Sequence, residues 1–203
     1  MNTIITETTE HGEVPIDIYQ KLSNDRILFL TDFIDDKVAT DIAATLLLKD
    51  AEVSNKVNED PEDNKITLFI NSEGGDIRAV FMIYDVMQII SSPIEVVCFG
   101  GAMNEAAILL VGGTEGMRYA TKNSIIAVGQ LISQWAKRSN LVDAEKTLIQ
   151  VTRDNKRMME ILAKHSGKKL AQVTKDFDRI VFLEPAKALK YGFIDRVIKF
   201  GKK

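Results

Sequence analysis

Few side chains in this sequence are able to attack a carbonyl or carry a proton at neutral pH. There are two histidines, His11 and His165, and one cysteine, Cys98. His11 lies in a polar N-terminal segment. His165 precedes Ser166-Gly167 at the end of a helical pattern, where an imidazolium suits the helix dipole. Both read as structural or surface residues. Cys98 sits inside the apolar run IEVVCFGG and reads as a buried thiol on a strand. Ser72, Ser124 and Ser133 are hydroxyl candidates. Ser124 stands near Lys122, so a Ser–Lys pair is conceivable, although a serine in a turn is far commoner. Asn104-Glu105, at the start of a helical pattern, offers an amide and a carboxylate. Acyl transfer needs a nucleophile, a base, an orienting acid and oxyanion donors, and these residues do not supply such a set in any obvious way.

The elements that position these residues follow from the hydrophobic pattern. Pro15 is expected in the first turn of a short helix, DIYQKL. ILFL (27–30) and KITLFI (65–70) read as buried strands, as do IEVVCF (94–99) and IIAV (125–128). Asp35 and Asp36 can cap a helix in which Val38, Ile42, Leu46 and Leu47 share a face. SNKVNEDPEDN (54–64) is polar, holds Pro61 and reads as a loop. The Gly74-Gly75 turn feeds a helix carrying Val80, Ile83, Tyr84, Met87 and Ile90, and a further helix starts at Asn104. Strands alternating with helices predict crossover units and a largely parallel sheet, hence an α/β fold. From Leu141 to Lys164 runs one long amphipathic pattern with Leu148, Val151, Met158, Met159 and Leu162 as apolar contacts. Gly167 is placed to end it in a left-handed cap. At 1.5 Å per residue it would span ~36 Å, more than a compact body of this size covers, so part of it is expected to project.

Composition narrows the class. The chain has 203 residues, 45% hydrophobic and 27% charged, enough for one domain with a sizeable core. A net charge of −3 gives no basic footprint for nucleic acid. MNTIITETTEHGE lacks a signal-peptide pattern, and no apolar run approaches a membrane span. A lone cysteine fits a reducing compartment. No metal site and no cofactor motif is apparent.

Several segments taken together resemble the proteolytic subunit of the Clp protease. They are INSEGG (70–75), MIYDVMQII (82–90), VVCFGGAMNEAA (96–107), KNSIIAVGQ (122–130) and YGFIDRVI (191–198). The resemblance covers nearly the whole chain. It implies a Clp protease/crotonase-like α/β fold of repeated ββα-type crossover units with a projecting handle helix. It implies a single domain over 1–203. An N-terminal axial segment and first helix occupy 1–20, the head 21–130 and 168–203, and the handle 131–167. In the family the nucleophilic serine is the fourth residue after the glycine of the CxG segment; here, counting from Gly100, that place holds Asn104. The base histidine's place, just before a glutamine, holds Gly129. The orienting aspartate's place, two residues before Phe182, holds Ile180. The oxyanion donors correspond to the backbone N–H groups of Gly75 and Glu105. LISQW replaces a glycine-containing segment that binds substrate strands, and Trp135 is new there.

A chain that keeps the fold motifs and lacks all three catalytic side chains resembles the family's non-catalytic members. The expectation is a catalytically inactive subunit with a structural or regulatory role. It would assemble with itself or with an active Clp subunit in heptameric rings, two of which close a tetradecamer. A Clp AAA+ unfoldase is a further expected partner. Its loops would dock at positions matching Thr67, Phe69, Val97, Phe99, Tyr119 and Ile198, although alternate strand residues such as Phe69 read equally as core. The resemblance implies a cytoplasmic protein, or a stromal one in a plastid-bearing lineage, with no membrane and no nucleic-acid partner. Two other readings stay open. One is an active serine peptidase with a relocated nucleophile. The other is a crotonase-like acyl-CoA enzyme using Glu105, although no second carboxylate and no CoA nucleotide motif accompanies it.

Overall fold

The computed structural model describes residues 3–9, 12–53, 64–131 and 141–199. The chain runs β1 (Ile4–Thr9), β2 (Gly12–Asp17), α1 (Ile18–Asn24), β3 (Ile27–Leu30), α2 (Asp36–Val53), β4 (Ile66–Ser72), α3 (Ile77–Ile89) and β5 (Ile94–Met103). It continues with α4 (Ala106–Val111), β6 (Arg118–Thr121), β7 (Ile125–Val128), α5 (Leu141–Ser166), α6 (Leu170–Asp176), β8 (Val181–Leu183), α7 (Pro185–Tyr191) and β9 (Arg196–Ile198). This is the expected α/β class. Strands β3-β4-β5-β6-β9 form a parallel path, as the strand–helix alternation predicts. The segment 54–63, expected to be a loop, lies outside the described residues.

The longest strand, β5, pairs with two different neighbours on the same side. Its first part, Val96–Cys98, pairs with β6, and its last part, Gly101–Met103, pairs with β7. The switch occurs where the β4–β5 register shifts between Ile70 and Ser72. Gly100 has φ +126°, and a Cβ there would overlap the Asn71 side chain. The Asn71 Oδ1 accepts the Gly101 N–H at 2.9 Å, so an asparagine side chain replaces the missing ladder bond. β7 in turn pairs antiparallel with β8. The strands β6, β8 and β9 were not legible as apolar runs, because each is only three or four residues long.

One face of the sheet is fully covered. Leu28, Leu30, Leu68, Ile70, Val96 and Cys98 point into the core against α3 and α4. All six residues of α4 are buried with no accessible surface. Each such leucine contributes about 1.5–3 kcal/mol relative to exposure, so α4 is held by burial rather than by its length. Helix α2 starts with Asp35 accepting the Val38 N–H at 2.8 Å, as expected of a cap. It rests on Ala39, Ala43 and Leu46, and Leu47 faces outward instead of sharing that face. Pro15 departs from expectation too. It belongs to β2, opposite Thr6, and Asp17 caps α1 by accepting the Tyr19 N–H at 2.8 Å. A two-stranded ribbon leaves one side of each strand unpaired, so a proline costs no ladder bond there.

Helix α5 runs two residues beyond the predicted end and stops at Gly167, whose φ is +68°. Met158, Met159 and Leu162 pack into the core, whereas Val142, Leu148 and Ile149 are exposed. Its last turn rests on Arg118, which donates to the His165 carbonyl at 3.0 Å and pairs with Asp195 at 2.6 Å. Burial alone would raise the Asp195 carboxyl, but the Arg118 contacts outweigh it and hold it low. Removing one partner of such a buried pair costs about 3–5 kcal/mol. The His165 ring is not the helix-end imidazolium expected from the sequence. It lies 2.9 Å from the Tyr84 hydroxyl, and burial, with Lys164 and Arg118 nearby, pushes its pKa down to about 4.

A pH dependence follows. Between pH about 4 and 6.5 the unfolded chain binds a proton at His165 that the folded chain refuses. Stability from this group is therefore complete above pH 6.5 and is lost as pH falls toward 4. The melting temperature of His165→Gln should fall less steeply over that window than the wild type's. Parallel curves would contradict a buried neutral ring.

Candidate functional site

The carboxyl ends of β5 and β7 lie side by side, and the antiparallel β8 begins beside them. Asn104 follows β5 directly, Gly129 follows β7, and Ile180 precedes β8. The register Met103↔Ala127 and Val128↔Val181 brings the three positions, far apart in sequence, to one rim of the sheet. A Cβ built on Gly129 would lie 3.0 Å from the Ile180 Cα and 3.1 Å from its Cβ. A side chain at 129 would therefore meet one at 180.

Asn104 occupies a sharp turn between strand and helix. Its φ is +51°, a left-handed conformation that asparagine tolerates better than most residues. The turn is held by its N–H donating to the Ala127 carbonyl at 2.7 Å and by its carbonyl accepting from Ala107 at 3.2 Å. The side-chain amide is half-buried and reaches the Glu73 carbonyl at 3.5 Å. It offers no nucleophile. Gly129 offers no proton acceptor, and Ile180 no carboxylate.

Facing Asn104 is the Gly74-Gly75 turn. It is clamped to the segment that leads into α2: Ile34 donates to the Gly74 carbonyl at 3.0 Å, and Asp76 donates to the Ile34 carbonyl at 2.8 Å. A Cβ on Gly75 would overlap the Ile34 backbone, so only glycine fits there. The Gly75 N–H is left pointing at the site, and the Glu105 carboxylate accepts it at 3.2 Å. Burial raises the Glu105 carboxyl, opposed by its own N–H and that of Gly75.

The other hydroxyls are committed elsewhere. Ser72 is buried and donates to the Asp32 carbonyl at 2.7 Å. Ser124 is 2% exposed and donates to the Thr121 carbonyl at 2.6 Å. Burial pushes the Cys98 thiol up to about 11, opposed by a hydrogen bond with Ser124. Ser133, Trp135 and most of the LISQW segment lie outside the described residues, as does His11. Gln130 and Asp178 are site-rim residues that the sequence reading missed. The Gln130 amide donates to the Asp178 carboxylate at 2.8 Å and ties the chain after β7 to the chain before β8. Nothing in their spacing announces this contact. Among the described residues, no group of three or more His, Cys, Asp or Glu is placed to hold a metal ion. No helix among them is long and apolar enough to cross a membrane.

The sheet face opposite the core carries the expected docking residues. Thr67, Phe69, Phe99, Tyr119 and Ile198 are half-buried on it, and Val97 is buried. Phe69 is therefore not core. The sequence reading missed Phe29 and Tyr19, which extend the patch: Phe29 stacks on Phe69 at 5.1 Å and meets Tyr19 edge-on at 5.7 Å. Phe99 meets both phenylalanines edge-on. Arg196 lies over the Tyr119 ring at 5.1 Å.

An α/β body with a parallel sheet, an interior helix α4 and a glycine turn facing a strand-to-helix elbow is an architecture of Clp-type proteins. A family model for Clp protease matches residues 10–200, and the chain belongs to the Clp protease family. Proteins of this family generally form oligomeric rings, which supports self-assembly.

Ile180 is not an enclosed apolar position but 52% exposed. Ile180→Asp should therefore change stability by less than about 0.5 kcal/mol. Gly129→Ala must crowd the Ile180 backbone and should cost about 1 kcal/mol or more. Denaturant midpoints at fixed protein concentration check the order, which would be reversed if residues 129 and 180 were not in contact.

Proposed function

We propose that this chain is a Clp-type ring subunit without peptidase chemistry, with a structural or regulatory place in the assembly. The observation that carries the reading is the meeting of Asn104, Gly129 and Ile180 at one rim. An amide, a hydrogen and an alkyl group stand where a hydroxyl, an imidazole and a carboxylate would have to cooperate. Without the three side chains, positioning and backbone donors leave roughly a 10³–10⁴-fold effect over water, a loss on the order of 10⁶ in turnover.

A relocated nucleophile is disfavoured because Ser72 and Ser124 are buried with their protons committed to backbone carbonyls. A crotonase-like role is disfavoured because Glu105, its one acid–base candidate, binds a backbone donor that such chemistry would need free. In the assembly, the exposed Val142, Leu148 and Ile149 of α5 suit a handle contact with a facing ring of seven, giving a tetradecamer. The half-buried aromatic patch around Phe69 and Phe99 suits the loops of a Clp AAA+ unfoldase. Ring partners are a second copy, an active paralogue, or both.

The purified protein should neither hydrolyse a short fluorogenic peptide nor be labelled by a serine-directed fluorophosphonate. Labelling of any serine would overturn the reading. Asn104→Ser alone should stay inactive, because no imidazole stands at 129 and the nearby carboxylates of Glu105 and Asp178 are tied to the Gly75 N–H and the Gln130 amide. Asn104→Ser/Gly129→His/Ile180→Asp should gain weak labelling at best, limited by the space at Gly129. A single mutant as fast as an active Clp subunit would reveal a base elsewhere. Sedimentation should show a ring-sized species, alone or with an active paralogue co-purified from the native source; a monomer under every such condition would count against the ring role.

A further inference from the structure

The backbone donors of the site are not open. Three observations of geometry coincide at the Gly74-Gly75 turn. The Gly75 N–H is directed at the site by the clamp on Ile34, and its acceptor is the Glu105 Oε2 at 3.2 Å. The same oxygen fills the space beside Gly74, where a Cβ would overlap it. That space is otherwise bounded by the Met103 carbonyl at 3.0 Å and the Glu105 nitrogen at 3.4 Å. The notch is therefore a small concavity lined by backbone, with a carboxylate oxygen already inside.

We propose that Glu105 is a built-in occupant of the oxyanion notch, its carboxylate taking the place that a peptide carbonyl or a tetrahedral adduct would need. The consequence is a second block, separate from the missing catalytic side chains. A substrate carbonyl approaching Gly75 meets a carboxyl oxygen instead of a free N–H, and binding there requires Glu105 to leave. Asp76 is a like charge that opposes ionisation of Glu105, and its carboxylate caps α3 by accepting the Arg78 N–H at 2.8 Å. Glu105 thus binds the Gly75 N–H from across the site, while the neighbouring Gly74 N–H donates to the Ser72 hydroxyl at 3.2 Å. This proposal extends the non-catalytic reading but does not depend on it. A notch filled by its own side chain would hold whether or not some other serine reacts.

Hydrogen–deuterium exchange of the whole assembled protein, resolved to the Gly75 amide, tests the contact. Glu105→Ala should speed exchange at Gly75 at least ten-fold. Glu105→Gln, which keeps an acceptor oxygen, should retain most of the protection. Unchanged exchange in Glu105→Ala would overturn the proposal. A crystal structure of the wild-type protein is the second readout and needs no variant. It should place the Glu105 carboxylate on the Gly75 N–H, and a side chain turned to solvent would refute the idea. The functional arm adds Glu105→Ala to the Asn104→Ser/Gly129→His/Ile180→Asp protein. One oxyanion donor is worth about 10²–10³ in rate, so fluorophosphonate labelling should rise by at least ten-fold. Equal labelling with and without Glu105→Ala in a protein that does label would also sink it. Labelling of the wild type, by contrast, would overturn the non-catalytic reading and leave the Gly75 result standing.

Discussion

Strand β5 has to serve two neighbours on one edge, and the arrangement of the site depends on how it does so. Asn71 makes this possible by reaching across to the Gly101 N–H while Gly100 adopts a conformation closed to residues with a side chain. The strand then leaves β6 and continues alongside β7. Without that switch the end of β5 would not reach Ala127, and the Asn104 elbow would lose the 2.7 Å bond that fixes it. The rim that joins positions 104, 129 and 180 is a consequence of this strand geometry. It persists although the side chains at those positions have no chemistry in common.

The core explains why the scaffold tolerates such substitutions. Helix α4 is buried along its entire length, and β4, β5 and α3 close around it. Residues at the rim sit outside that packing. Asn104 and Glu105 are half-buried and Ile180 is largely exposed, so their identities are weakly constrained by folding. Gly75 and Gly129 are the exceptions, because the Ile34 backbone leaves no room for a side chain at 75 and buried Gly129 lies against Ile180. The glycine turn is therefore fixed by the fold whatever side chains stand at the rim. The carboxylate of Glu105 then finds an N–H that the backbone cannot withdraw.

The buried polar contacts hold the periphery to this centre. Arg118 joins β6, the Asp195 turn and the end of α5 in one cluster. The Tyr84–His165 contact ties α3 to the same helix end. These contacts fix the inner half of α5, while its outer half carries exposed apolar residues. The open sheet face has the same character: an aromatic cluster half-covered by Tyr19 and otherwise accessible. Both are surfaces on which a ring-forming family would be expected to find partners.

Much of this was written in the sequence. Short apolar runs separated by helical patterns predicted the parallel sheet, because one face is buried in the core and the other carries aromatic and aliphatic side chains. Glycine and aspartate at the turns marked the starts of α2 and α3 and the end of α5, since φ and capping requirements are local. Other features depended on partners remote in the chain. The short strands β6, β8 and β9 carry too few residues for a pattern and exist because β5, β7 and β6 in turn offer them edges. Pro15 joined a strand because its neighbour, β1, was there to pair. The His165 pKa is lowered because burial, with Lys164 and Arg118 nearby, disfavours its charged form, which no reading of a helix end reveals. The types of Asn104, Gly129 and Ile180 were legible from their motifs. That Glu105 turns into the site and binds the Gly75 N–H was decided only by the fold, because Ile34 holds that N–H in place from far along the chain.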